Sequence, residues 1–181
     1  IVDKNKVWTR SILIAGDEIT KAIANALQID FTEAESLKKK EGIIIIEESD
    51  KSFSSKSEEI SSAVTPVLID ILADVSKTIG YYKSQFGETK VFNEILITGG
   101  SSKLKNIEKF FKNNLELNVR HLGILEKLKP NVLCNIDEAL DERFGIALGL
   151  ALRQLTKAFL NINLLPKEII NSTILYRKLW F

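Results

Sequence analysis

Eight apolar residues, Ile60, Val64, Val67, Leu68, Ile71, Val75, Ile79 and Tyr82, recur at helical spacing along more than twenty residues. A stripe of that length predicts a long amphipathic helix with one face turned inward. Each side chain in it stabilises by roughly 1.5–3 kcal/mol when fully buried, so the stripe is expected to form the spine of the core. It does not suit a membrane. The longest uncharged run, Ile60 to Ile69, is ten residues and contains Thr65 and Pro66, whereas a spanning helix takes about 20 apolar residues. Pro66 lies inside the stripe and predicts a kink or a helix start at Thr65-Pro66.

The segments around the stripe add strands. Ile1-Val2, a polar turn and VWTRSILI read as a strand end and a second strand, so the chain is expected to open inside a strand whose beginning it lacks. In AGDEIT, Asp17 is placed to cap a helix carrying Ile19, Ile23 and Leu27 inward. Thr32 and Glu35 have the spacing of a capping box opening a second short helix, AESLKKK, that stops at Gly42. The four isoleucines 43–46 lean toward a strand, and EESDKSFSSKSEE reads as a solvated loop. EILIT at 94–98 is a strand, Gly99-Gly100 a tight turn, and SSKLKNIEKFFKN a helix with Leu104, Ile107 and Phe111 inward. LNVRHL at 117–122 is a strand, and 123–136 a loop. Asp137 caps a last helix, with Glu138, Asp141 and Glu142 at its positive dipole end and Gly145 and Gly149 one turn apart. Strands and helices in this order indicate an α/β layer structure.

Composition narrows the chemistry. The 181 residues hold 25 Lys plus Arg against 24 Asp plus Glu, a net charge of +1. That balance argues against non-specific nucleic-acid binding, which needs a cationic surplus. One cysteine, Cys134, and one histidine, His121, exclude an internal disulfide framework and any cluster of Cys or His around a metal. A reducing compartment fits a lone thiol, and His121 reads as a surface or strand-edge residue. The opening IVDKNKVWTR has no secretory apolar region.

Three motifs have chemical potential. T-G-G-S-S at 98–102 places bare backbone and free N–H groups after a strand. A-E-x-x-K at 34–38 puts Glu35 and Lys38 on one helix face, a pair able to hold two ribose hydroxyls; the plainer reading is a closed capping box and a solvated lysine. GIALGLALR at 145–153 by itself is a packing helix.

Taken together and in order, AGDEIT (15–20), AESLK (34–38), IGYYKSQ (79–85), ILITGGSSKL (95–104) and GIALGLALR (145–153) resemble the actin-like ATPase superfamily. Within it they look like the second lobe of the PilM-like type IV pilus assembly proteins, relatives of the cell-division protein FtsA. The resemblance runs from about Val7 to Arg153. It implies an α/β fold, an actin-like (RNase H-like) second lobe with a small inserted subdomain and its N-terminal strands missing. The ranges implied are a strand hairpin at 1–16, an inserted tip subdomain at 17–57, the lobe core at 58–156 and a tail at 157–181.

By the same resemblance Gly99, Gly100 and Ser101 lie against an adenosine, and Glu35 and Lys38 contact its ribose and base. The cofactor implied is ATP or ADP with Mg2+ in the complete protein. Ala15 departs from the family, which usually has a glycine there. The two phosphate-binding hairpins of the family have no counterpart within these residues, so efficient ATP hydrolysis is not expected from them. In the tail, Ile162, Asn163, Leu164, Leu165 and Pro166 resemble the segment by which PilN docks onto PilM. The role implied is a cytoplasmic scaffold at the inner face of the inner membrane. Its expected partners are a PilN-like membrane protein and other pilus assembly proteins, with no nucleic acid, and with a homo-oligomer or a swapped element covering an open sheet edge. The rival readings are an active actin-fold ATPase and an FtsA-like membrane-tethered filament protein of cell division. A nucleotide site requires Glu35 and Lys38 to converge on the Gly99 turn.

Overall fold

In the computed structural model, which describes residues 1–3, 6–46, 54–89, 91–123, 141–155, 166 and 168–169, the apolar stripe forms one helix. This helix, α3 (Ser55–Phe86), runs through Pro66 and so excludes a helix start there. Pro66 sits on the exposed side, where the carbonyl left without its helix donor is not buried in the core. The helix begins earlier than the loop composition suggested, because the Ser54 side chain accepts from the Ser57 N–H and caps it. Ile60, Val64, Leu68 and Tyr82 are buried, and Val67, Ile71, Val75 and Ile79 are half-buried.

Two units divide the chain, residues 1–145 and 146–181. In the first, strands β1 (Val2–Asp3) and β2 (Lys6–Val7) form a small antiparallel hairpin. The expected strand VWTRSILI is short: Trp8 still pairs with Ile1 through backbone hydrogen bonds of 2.9 and 2.8 Å, and side chains from there on turn to α3. Trp8 stacks on Tyr81 at 5.8 Å between centroids, and Arg10 Nη1 donates to Thr78 Oγ1 at 3.2 Å.

Helix α1 (Gly16–Leu27) follows, with Ala15 at its N-cap and no side-chain cap; Asp17 lies two positions past the N-cap, inside the first turn. Ile19 and Ile23 are buried, as their spacing required. Helix α2 (Phe31–Glu41) is capped by Asp30, whose carboxylate accepts from the Thr32 and Glu33 N–H groups. The expected capping box of Thr32 and Glu35 therefore does not form. Gly42 ends α2 as expected.

The four isoleucines run as an extended segment packed between helices. Ile43 bridges Lys105, Ile45 N–H donates to Ser61 Oγ at 2.9 Å, and Asn106 Nδ2 donates to the Ile44 carbonyl at 2.9 Å. Strands β3 (Glu94–Ile97) and β4 (Asn118–His121) pair in parallel, Ile95 opposite Val119 and Ile97 opposite His121. A bidentate pair fixes the register: Arg120 Nε and Nη2 donate to the two Glu94 carboxylate oxygens at 2.6 and 2.8 Å. Between the strands, a 3-10 turn over Gly100–Lys103 precedes α4 (Ile107–Leu115). The helix expected from Ser101 onward begins at Ile107, because Asn106 adopts a left-handed backbone with φ 66°. Ile19, Ile23, Ile44, Ile60, Val64, Leu68, Leu104, Ile107, Phe110, Phe111 and Val119 share one core.

The last described helix, α5 (Asp141–Leu155), bears Gly145 and Gly149. Cys134, the expected loop over 124–136 and the Asp137 cap lie outside the described residues.

Candidate functional site

Capping by Asp30 decides what Glu35 and Lys38 do. With the N-terminus of α2 satisfied by Asp30, Glu35 is released from a capping role one turn further in. Ala34 and Lys38, four apart, then turn inward and are buried. Lys38 reaches from α2 to the first turn of α1. Its Nζ donates to Glu35 Oε2 at 2.5 Å, to Thr20 Oγ1 at 2.7 Å and to the Gly16 carbonyl at 3.1 Å. An ammonium has three protons, and all three are used within the fold. Burying a charge is tolerated only with such pairing.

Thr20 is fully buried beside Ile19. Its hydroxyl accepts from Lys38 and has one proton to donate, closest to Glu35 Oε2 at 2.6 Å, with the Gly16 carbonyl at 3.0 Å as the competing acceptor. Burial pushes the Glu35 carboxyl up, but the hydrogen bonds from Lys38, Thr20 and Lys39 outweigh it and hold the group at about 2. Glu35 is thus a fixed carboxylate. Its second oxygen, Oε1, faces the exposed Lys39 at 3.1 Å.

The glycine turn arrives from the other direction. Gly99 has φ 101°, a conformation that favours glycine, and the Ser102 hydroxyl donates to the Gly99 carbonyl at 2.7 Å. A Cβ placed on Gly99 or Gly100 would meet nothing within 4 Å, so this backbone borders open space. A Cβ on Gly16 would lie 2.6 Å from Ser101 Oγ and 3.7 Å from Lys38 Nζ. A side chain there would have to displace the Ser101 hydroxyl. Ser101 and Lys38 thus approach the same side of Gly16.

An adenosine nucleotide fits part of this arrangement. The Gly99-Gly100 backbone is free to lie against a flat ring, and Glu35 is a charged acceptor for hydroxyls. Lys38 fits less well as a ligand contact, since its donors are engaged internally. Among the described residues, no group of three His, Cys, Asp or Glu side chains is placed to hold a metal.

Thr20 and Gly16 are the site residues that the motif reading passed over. Thr20 had a signal: a polar residue on the inward face of α1, between Ile19 and Ile23. His121 lies on β4 as expected, with Nε2 3.5 Å from Glu108 Oε1. It lines, with Lys103, Lys105 and Lys109, a groove whose lining does not include Glu35, Lys38 or Ser101. Of the tail segment, Ile162, Asn163, Leu164 and Leu165 lie outside the described residues, and Pro166 is exposed. No helix among the described residues is long and apolar enough to cross a membrane.

Comparison with known proteins supplies a family and a fold. The profile of the family described as cell division protein FtsA matches residues 1–132. A solved structure titled "PilM-PilN type IV pilus biogenesis complex" is similar over 81% of this chain, with a TM-score of 0.63 and 22% identity. This chain spans 39% of that one. No curated protein matches the sequence significantly.

Proposed function

Since the chain belongs to the FtsA family and has part of the actin-like fold, we propose that it is the adenosine-binding lobe of a scaffold protein in type IV pilus assembly. In this reading ATP or ADP, with Mg2+ in the complete protein, has a structural or regulatory role. Gly99, Gly100 and Ser101 border the adenosine, Glu35 accepts its ribose hydroxyls, and Lys38 holds Glu35 in place. The observation that carries the reading is the meeting of Lys38 and Ser101 at Gly16.

The pilus assignment has separate support. The similar solved chain is part of a complex with PilN, as its title states, and residues 161–166 of this chain have the docking-segment pattern N-I-N-L-L-P. The proposed partner is the cytoplasmic N-terminal segment of a PilN-like membrane protein, which would hold the scaffold at the inner face of the membrane. Burial of the Ile and two Leu of I-N-L-L-P gains roughly 5–9 kcal/mol, and ordering five residues costs about 1–2 kcal/mol each. The two nearly cancel, so a free peptide should bind weakly, at best with about millimolar Kd.

Fluorescence anisotropy with a labelled PilN N-terminal peptide tests this. Saturable binding to the 181-residue chain, competed by an unlabelled peptide of residues 157–170, is expected. Binding no stronger than that of a scrambled-sequence peptide, at chain concentrations up to millimolar, would remove the pilus reading. The family profile named for cell division supports a second reading, a membrane-tethered filament. Filaments seen by electron microscopy with ATP and anionic vesicles, without peptide binding, would favour it.

A further inference from the structure

We propose that Thr20 is a positioning residue of the site, which orients the Glu35 carboxylate by hydrogen-bonding one of its oxygens and leaves the other for a ligand. The ligand part of this rests on the adenosine reading above; the positioning part rests on geometry alone. Thr20 is fully buried, although a hydroxyl with no partner there would be costly. It stands between the two charged groups of the site, 2.6 Å from Glu35 Oε2 and 2.7 Å from Lys38 Nζ.

Glu35 Oε2 is consequently saturated from inside by a hydroxyl and an ammonium. Among the described residues Oε1 meets only the exposed Lys39, whose long side chain is readily displaced. The rotation of the carboxylate about its last bond is broad and nearly two-fold in a free glutamate; two fixed donors on one oxygen remove that freedom. Thr20 also supplies the acceptor for one of the protons of Lys38, and so keeps the lysine pointed at α1 instead of at the ligand. A valine has the same shape without the hydroxyl, whereas serine keeps the hydroxyl.

The test follows the Glu35 side-chain carboxyl by carbon NMR in the full 181-residue chain. In the wild type it should stay ionised down to pH 3. In Thr20→Val its midpoint should rise by about one pH unit, a tenfold change in proton affinity, and Thr20→Ser should restore it. Affinity for ADP should fall about tenfold in Thr20→Val and be kept in Thr20→Ser. An unmoved Glu35 titration in Thr20→Val would overturn the proposal, as would failure of Thr20→Ser to restore it. If Thr20→Val does not fold, Glu35→Gln decides: the Thr20 methyl resonance must move when its charged partner is neutralised, and an unmoved methyl refutes the contact. If the wild type binds no ADP but the titration shifts as described, the positioning role stands and only the nucleotide reading fails.

Discussion

Replacing Lys38 by methionine separates a buried lysine that ties α1 to α2 from a solvated one. Methionine keeps the length of the aliphatic stem but removes all three donors. The change leaves Glu35 Oε2 with Thr20 alone and the Gly16 carbonyl without its charged donor. At about 1.4 kcal/mol for each pH unit, lowering the Glu35 carboxyl from 4.5 to about 2 is worth at most about 3.4 kcal/mol. Thr20 and Lys39 still hold part of that shift in Lys38→Met, and the Glu35 side chain is 29% exposed, so the share lost is about 1 kcal/mol. The lost donation to Gly16 adds about 1 kcal/mol. A total near 2 kcal/mol lowers Tm by about 4–8 °C in a chain of this size, against about 0.5 kcal/mol or less for a surface substitution.

The pH dependence gives an independent check. The folded-state carboxyl lies below its ordinary value, so its contribution is complete above about pH 4.5 and disappears as the pH falls toward 2. Thermal unfolding by circular dichroism at pH 7 and at steps down to pH 3 should therefore show the Lys38→Met penalty shrinking with acid. A penalty below about 1 kcal/mol at pH 7, or one that does not change with pH, would refute the buried-pair argument.

Other outcomes follow from single positions. Gly16→Val should push Ser101 away from Lys38, costing about 1–3 kcal/mol by overpacking and abolishing ADP binding in an equilibrium titration. Leu68→Ala, in the most buried part of α3, should cost about 2–5 kcal/mol in urea unfolding. Arg120→Ala breaks the Glu94 pair, but the two side chains are 41% and 33% exposed; the loss should stay under about 1 kcal/mol in the same urea titration.

The core was largely legible in the sequence. The α3 stripe, Ile19 and Ile23 of α1, and Leu104, Ile107 and Phe111 are periodic signals, and periodicity is decided by burial, which acts on every turn alike. The failures lie at ends. Asp17, Thr32 and Ser101 each looked like a helix start, yet caps depend on one backbone conformation, and Asp30 and Asn106 took those roles instead. The strand VWTRSILI was misjudged because Trp8 and Arg10 found partners on α3, a tertiary preference that alternation does not reveal. At the site, Glu35, Lys38 and the Gly99 turn came from motifs in the right order. That Lys38 would be buried could not be read from its charge, because the cap that frees Glu35 had been placed at Thr32. Thr20 appeared only once Lys38 was seen to need an acceptor.

The account stands most directly on whether an adenosine nucleotide touches the residues around Gly16. Amide chemical shifts of the nitrogen-labelled chain, followed through a titration with ADP, report every contact at once. Saturable shifts at Gly16, Glu35, Gly99, Gly100 and Ser101, with Lys103, Lys105, Lys109 and His121 unmoved, are the predicted result. Shifts confined to that lysine groove, or none anywhere at millimolar ADP, would contradict it.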